Sequence, residues 1–285
     1  MSSYSSEANV GVQASGGSRS LPRRDLFAGL IILGCVNGLG AKVIAAVNQT
    51  GLVDAIFSTT NVSIIVWASC LSGLALILKD QSGDATKADF WVGAAFLAMV
   101  VLPVGELSWV ALAGLSIYIL RTSHRVPTRQ GAFILLATTV PMLWSVLLFK
   151  LFANSILAVD ASLVSWLLGT ARVGNVVRFA DGSGDLVILH QCSSLANVSQ
   201  AMLCWITISR LINHKKSPYD MLWCAAACAS VVAVNVVRMT LMGLSEPMYD
   251  VAHGPTGNAI ASAMMLALMI SVCLLGVRRE LFGRV

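Results

Sequence analysis

Apolar positions run through this chain in long blocks, broken by short polar segments. Eight blocks stand out, at 26–47, 62–78, 90–104, 107–120, 131–152, 192–212, 219–242 and 258–277. A helix needs roughly 20 mostly apolar residues to cross a bilayer, so the pattern predicts about eight transmembrane helices. The third and fourth blocks are short and meet at Pro103-Val104-Gly105-Glu106, a tight turn. Six full spans plus one re-entrant hairpin is the alternative for that region.

One intervening segment, 153–191, is long. Its first part, Ala153 to Thr170, is apolar with Asp160, Ser162 and Ser165 interspersed and Trp166 suited to the water–lipid boundary. That is the pattern of a helix lying along the interface. Two β-prone runs follow, Val173 to Phe179 and Leu186 to Leu189, on either side of Asp181-Gly182-Ser183-Gly184. They predict a small β-hairpin leading directly into Cys192. The expected fold class is an all-α polytopic membrane protein with about eight transmembrane helices, a small extracytoplasmic β-hairpin and an interfacial helix. Residues 1–24, polar and rich in Ser and Gly, read as a flexible cytoplasmic tail, and 25–285 as a single integral membrane domain.

Composition agrees with this layout. Hydrophobic residues make up 56% and charged residues 12%, against about 25% charged in a soluble domain. Mean hydropathy is +0.78. Ile32-Leu33-Gly34-Cys35 has a faint likeness to a lipoprotein cleavage box, but the apolar run continues well past Cys35. Seven cysteines, six of them inside apolar blocks, do not make a disulfide framework. Cys224 and Cys228 share a helix face, but no histidine stands near them in sequence to complete a metal site. No metal or nucleotide motif is present, and no cofactor is expected.

The net charge of +5 is a matter of topology rather than of nucleic-acid binding. With the N-terminus placed in the cytoplasm, all but five of the 19 lysines and arginines fall on the inner side. The five are Lys42, Lys150, Arg172, Arg178 and Arg238. The positive-inside rule therefore puts both termini in the cytoplasm. The ends of the last three blocks that carry Cys192, Arg238 and His253 then share the outer face.

Those three residues carry the candidate chemistry. Cys192 opens the sixth block, and cysteine attacks as a thiolate, a form favoured at helix N-termini and beside cations. Arg238 lies near the outer end of the seventh block, where an intramembrane charge is costly and by default functional; snorkelling to headgroups is the plainer role. His253 precedes the eighth block, and histidine is the commonest general acid–base near neutrality. Asn235 is one helical turn from Arg238 and on the same face. His190, two residues from Cys192, is a rival base, whereas His124 and His214 fall in cytoplasmic loops. Glu106 and Glu246 also reach the outer face, as solvated carboxylates or contacts for a basic group.

These residues resemble the exosortase/archaeosortase family. Its hallmark is a Cys-Ser-Gly segment after a small hairpin, then Asn-x-x-Arg, then a His followed by a Gly four residues on. This chain has Cys192-Ser193, Asn235-x-x-Arg238 and His253-x-x-x-Gly257, preceded by Gly174-Asn175-Val176 and Gly184-Asp185-Leu186-Val187. The likeness covers roughly 173–263; earlier blocks match only in hydrophobic character. Ser194 stands where the family has glycine.

The resemblance implies an enzyme that cleaves C-terminal sorting tails of exported proteins at the outer, periplasmic face of a bacterial inner membrane. Such a tail has a short motif, often Pro-Glu-Pro-like, an apolar helix and a basic cluster. By resemblance, Cys192 attacks the scissile carbonyl and forms a thioester. His253 protonates the leaving amine and later activates an acceptor nucleophile of unknown identity. Arg238 stabilises the oxyanion or the thiolate, and Asn235, Ser193 and Ser194 support the site. The implied partners are a membrane-anchored protein substrate and the lipid bilayer, with no nucleic acid. The alternative is a non-enzymatic transporter or a polysaccharide or lipid export component.

Overall fold

The computed structural model describes residues 21–51, 62–81, 83–102 and 104–278. Most of the expected tail, and Pro103 of the expected tight turn, lie outside them. The helices are α1 (Arg23–Thr50), α2 (Ile64–Leu78), α3 (Lys87–Val101), α4 (Gly105–Thr122), α5 (Val126–Thr139), α6 (Ser145–Leu168), α7 (Ser194–Leu211), α8 (Asp220–Met242), α9 (Glu246–His253) and α10 (Pro255–Gly276). A three-stranded antiparallel sheet, β1 (Arg172–Val173), β2 (Val176–Arg178) and β3 (Asp185–Val187), sits between α6 and α7.

Four of these stretches are long and apolar enough to cross a membrane: α1, the run Val126–Leu168, α8 and α10. α2 is apolar but shorter. α3 has 15 residues, and the 18-residue α4 and α7 are interrupted by polar groups such as Glu106, Ser108, Asn197 and Gln200. The fold is mainly helical, and its apolar helices are compatible with a membrane protein. Exposed Leu71, Trp91, Val101 and Leu151 leave apolar side chains on the outside of the bundle.

The expected break after the fifth block occurs as a kink between two helices that meet at Phe152. Together the two helices cover the run Val126 to Leu168, 43 residues. Pro141 lacks an N–H and interrupts the ladder, but a π-helical turn at Val140–Trp144 absorbs the defect. A kink at Phe152 (φ −125°, ψ 23°) marks the expected boundary. Nothing between Ala153 and Leu168 stops a helix, so it continues to Gly169, whose φ of 68° ends it.

The hairpin has one strand more than the sequence predicts. Val173 pairs with Val176, leaving Gly174 and Asn175 as a two-residue turn with Gly174 at φ 60°. β2 then pairs with β3 across the Asp181–Gly184 turn. The Asn175 side chain donates to the Ile188 carbonyl at 2.8 Å, and the Ile188 N–H donates to the Asn175 carbonyl at 2.9 Å.

α1 starts at Arg23, so the expected tail gives up its last two residues to the helix. Arg23 is buried and partnered. Its Nε donates to Asp89 Oδ1 at 3.1 Å and its Nη2 to Thr122 Oγ1 at 2.6 Å. Asp89 also accepts from the Tyr118 hydroxyl at 2.9 Å and closes a capping box with Thr86 at the start of α3. This knot ties α1, α3 and α4 together at one end.

A large apolar core joins α1, α2, α4, α5, α7, α8 and α10, centred on residues such as Phe27, Leu112, Leu135 and Leu203. A second, smaller core packs Val177, Phe179, Leu186 and Ile188 of the sheet region against Val164 of α6 and Met239 of α8. Cys192 lies at the edge of that second core.

Candidate active site

The chain reaches Cys192 through a 3-10 turn, His190–Cys192, that follows β3. The Cys192 N–H donates to the Leu189 carbonyl at 2.9 Å. Ser193 is the N-cap of α7 and its hydroxyl accepts from the Leu195 N–H at 3.3 Å. Cys192 therefore precedes the cap, at the positive end of the α7 dipole.

Two buried polar side chains fix this entry. Asn235 of α8, 2% exposed, donates from Nδ2 to the Cys192 carbonyl at 2.7 Å and to Ser194 Oγ at 3.1 Å. Asp160 of α6, 3% exposed, accepts from the Ser194 N–H at 3.0 Å through Oδ2. Ser194 thus has a structural use that glycine lacks, since its hydroxyl takes one of the two Asn235 hydrogens.

Arg238 lies one turn beyond Asn235. Its Nε donates to the Ala252 carbonyl at 3.3 Å, and its Nη2 donates to Asn258 Oδ1. Asn258 Nδ2 donates in turn to the His253 carbonyl at 2.7 Å. The guanidinium binds the end of α9 and the first turn of α10 at once. Its Nη1 makes no hydrogen bond within the described residues.

His253 is the last residue of α9, not a loop residue as the sequence reading has it. Ser245 caps α9, accepting from the Met248 N–H, and Pro247 occupies its first turn. The imidazole stacks on Tyr249 one turn back, with centroids 5.0 Å apart and an interplanar angle of 13°. Its Nδ1 is buried and makes no hydrogen bond. Gly257 lets α10 start against α9: a β-carbon there would lie 2.5 Å from the Val251 carbonyl oxygen and 2.6 Å from that of Ala252.

The three motifs therefore interlock. Asn235 holds Cys192, Arg238 holds the α9–α10 junction, and Asn258 holds His253. Cys192 and Tyr249 pack against the same small core. Among the described residues, no hydrogen bond joins the Cys192 thiol to Arg238 or His253 directly.

Two cavities flank this assembly. One, of about 430 Å³, is apolar apart from Arg238 and Thr256, with Val237, Leu241, Val251, Ile260 and Met264 in its walls. The other, of about 170 Å³, is lined by Lys42, Ser63, His190, Ser193 and Gln200. His190 also packs edge-on against Phe149, with centroids 4.2 Å apart. The rival base thus lines a different cavity from Arg238.

Asp160, Tyr249 and Asn258 are the site residues that sequence reasoning missed. A lone acid in an apolar run was the available signal for Asp160. Tyr249 and His253, at i and i+4, become partners only once the segment is known to be helical. Asn258 carried no signal. Comparison with known protein families, curated proteins and solved structures returns no match.

Proposed function

We propose that the protein is a membrane-embedded cysteine transpeptidase or protease resembling the exosortase/archaeosortase family. In this reading it cleaves C-terminal sorting tails at the outer face of a bacterial inner membrane, with about eight spans and both termini cytoplasmic. The supporting observation is the hydrogen-bonded series from the Cys192 carbonyl through Asn235 on α8, and from Arg238 through Asn258 to the His253 carbonyl. Residues 66 or fewer apart in sequence, on three separate motifs, share one framework. The biased distribution of lysine and arginine supports the orientation.

The chemistry follows from the groups. Cys192 Sγ, as thiolate, attacks the scissile carbonyl; the C–S bond forms and the C–N bond breaks. The amine leaves with a proton from His253. An acceptor amine or water then gives a proton to His253 and attacks the thioester, and the C–S bond breaks to return the thiolate. The Nη1 group of Arg238 is available to the oxyanion. The apolar cavity beside Arg238 suits the hydrophobic segment of a membrane-anchored substrate.

The test is a sorting-tail reporter expressed with wild type or Cys192→Ala, alongside labelling by a membrane-impermeant thiol reagent. Cys192→Ala should abolish processing while the protein accumulates normally. Wild-type processing by that variant would end the nucleophile assignment.

One observation favours the second reading, a non-enzymatic transporter or polysaccharide or lipid export component. A cavity of about 510 Å³ between the helices carries Ser63, Asn197, Gln200 and Ser262 in its walls, and polar groups inside a membrane mark permeation paths. Transport that survives loss of Cys192, Arg238 and His253 together would favour it.

A further inference from the structure

We propose that the cleft between the α7–α8 connection and the end of α10 binds the phosphate group of an anionic phospholipid. The cleft has a volume of about 450 Å³ and holds Lys215, Lys216 and Arg278 with Tyr219, Leu222 and Leu275 in its walls. α7 ends here, α8 begins here and α10 ends here. It therefore lies at the opposite end of these helices from Cys192 and Arg238, and it does not depend on the catalytic reading.

Charge defines one half of the cleft. Its single carboxylate, Asp220, is already committed. Oδ1 meets His214 Nε2 at 2.8 Å, and Oδ2 accepts from the Ser217 N–H at 3.2 Å. Lys215, Lys216 and Arg278 have no carboxylate partner among the described residues. Among the described residues, three cations against one carboxylate leave the cavity with net positive charge, a site for a group bearing negative charge.

Apolar surface defines the other half and identifies the carrier of that charge. Tyr219 is 63% exposed, Leu222 65% and Leu275 50%. A soluble anion gains nothing from such walls, whereas a phospholipid places its phosphate on the cations and its glycerol and upper acyl chains on the leucines. The cleft also lies where α8 and α10, both long and apolar enough to cross a membrane, come to adjacent ends. That is the depth of headgroups, and Tyr219 and Trp223 are residue types enriched there. Juxtamembrane lysine and arginine attract anionic lipid by the same electrostatics.

The full-length protein in detergent would be titrated with phosphatidylglycerol and with phosphatidylcholine of matched chains, and bound lipid counted by native mass spectrometry. Phosphatidylglycerol should bind at least about tenfold more tightly, and K215Q/K216Q/R278Q should remove the preference. Lys216→Gln alone should weaken it about fivefold, the worth of one cation at a charged surface. Arg178→Gln, in the sheet at the other end, should leave it unchanged. Inorganic phosphate at millimolar concentration should not displace the lipid. Equal binding of the two lipids by the wild-type protein would overturn the proposal, and that result needs no variant to fold. A preference that persists in the triple variant, or falls equally in Arg178→Gln, would also overturn it. Displacement by inorganic phosphate would do the same, by marking a soluble-anion site instead.

Discussion

The carboxamide of Asn235 holds the carbonyl of Cys192 at 2.7 Å while spanning to the Ser194 hydroxyl at 3.1 Å. One buried side chain thus sets where the candidate nucleophile leaves the sheet and where α7 begins. Misplacing a reacting group by about 1 Å can cost on the order of a hundredfold in rate. Asn235→Ala is expected to slow tail processing and external labelling of Cys192 by about that factor. The check is the labelling rate in whole cells, normalised to protein level; a rate equal to wild type would remove Asn235 from the site.

Ser194→Gly introduces the residue that the proposed family reading would place here. It removes one acceptor for Asn235 but leaves the bond to the Cys192 carbonyl and the Ser194 N–H bond to Asp160. A loss of about 1 kcal/mol in stability is expected, with processing retained. Thermal unfolding in detergent, read beside the reporter assay, separates the two effects. Abolished processing at unchanged stability would mean that the hydroxyl itself touches substrate.

Asp160 should behave as an acceptor rather than as a charge. Asp160→Asn keeps an oxygen able to take the Ser194 N–H and is expected to label at Cys192 much as wild type does. Asp160→Ala leaves that buried N–H unpaired, at a cost of about 1–3 kcal/mol, and should lower both stability and labelling. If both variants lose labelling equally, the negative charge is what the site requires.

Arg238→Lys keeps a positive charge but loses the planar fork that reaches Ala252 and Asn258 together. The expected result is faster amide hydrogen exchange across residues 246–258, together with loss of processing. Unchanged exchange there would show that the guanidinium is not what holds α9 to α10.

At the far end of α1, the Arg23–Asp89 pair gives stability a defined pH dependence. Burial alone would raise the Asp89 carboxyl, but bonds from the Thr86 N–H and hydroxyl, the Tyr118 hydroxyl and the Arg23 charge hold it below its ordinary value. A group depressed on folding contributes fully above its unfolded pKa, about 3.9 for aspartate. That contribution is lost as pH falls through the lower folded value. Asp89→Asn should destabilise the protein by about 3 kcal/mol at neutral pH. The gap in melting temperature between variant and wild type should close as pH drops below about 4. A gap independent of pH would assign the effect to packing.

Much of the helical layout is legible in the sequence because long apolar blocks have few other uses. The ends of α2, α8 and α10 fall close to where the blocks predict. The kink at Phe152 falls where the fifth block ends at residue 152, whereas the π turn that absorbs Pro141 inside that block leaves no mark in the sequence. α9 reads as loop in the sequence because its eight residues are too few for a periodicity, although Ser245 and Pro247 are a start signal. At the site, the motif residues Cys192, Asn235, Arg238 and His253 were visible as types at spacings. Asp160, Tyr249 and Asn258 matter through contacts between distant elements, and local pattern carries no such information. Arg23 carries a further role that its place next to an apolar block does not reveal: it is a buried partner of Asp89.

Gly257 contributes no atom to any chemistry, yet α10 starts against the Val251 and Ala252 carbonyls only because that position has no side chain. In a saturation screen for activity, position 257 should therefore tolerate substitution as poorly as position 192, for a reason of volume alone. Loss of the proposed activity in such a screen would not distinguish a reacting group from the empty space that brings its neighbour within range. A screen for lipid retention at the opposite end of the bundle would, because only the architecture connects the two.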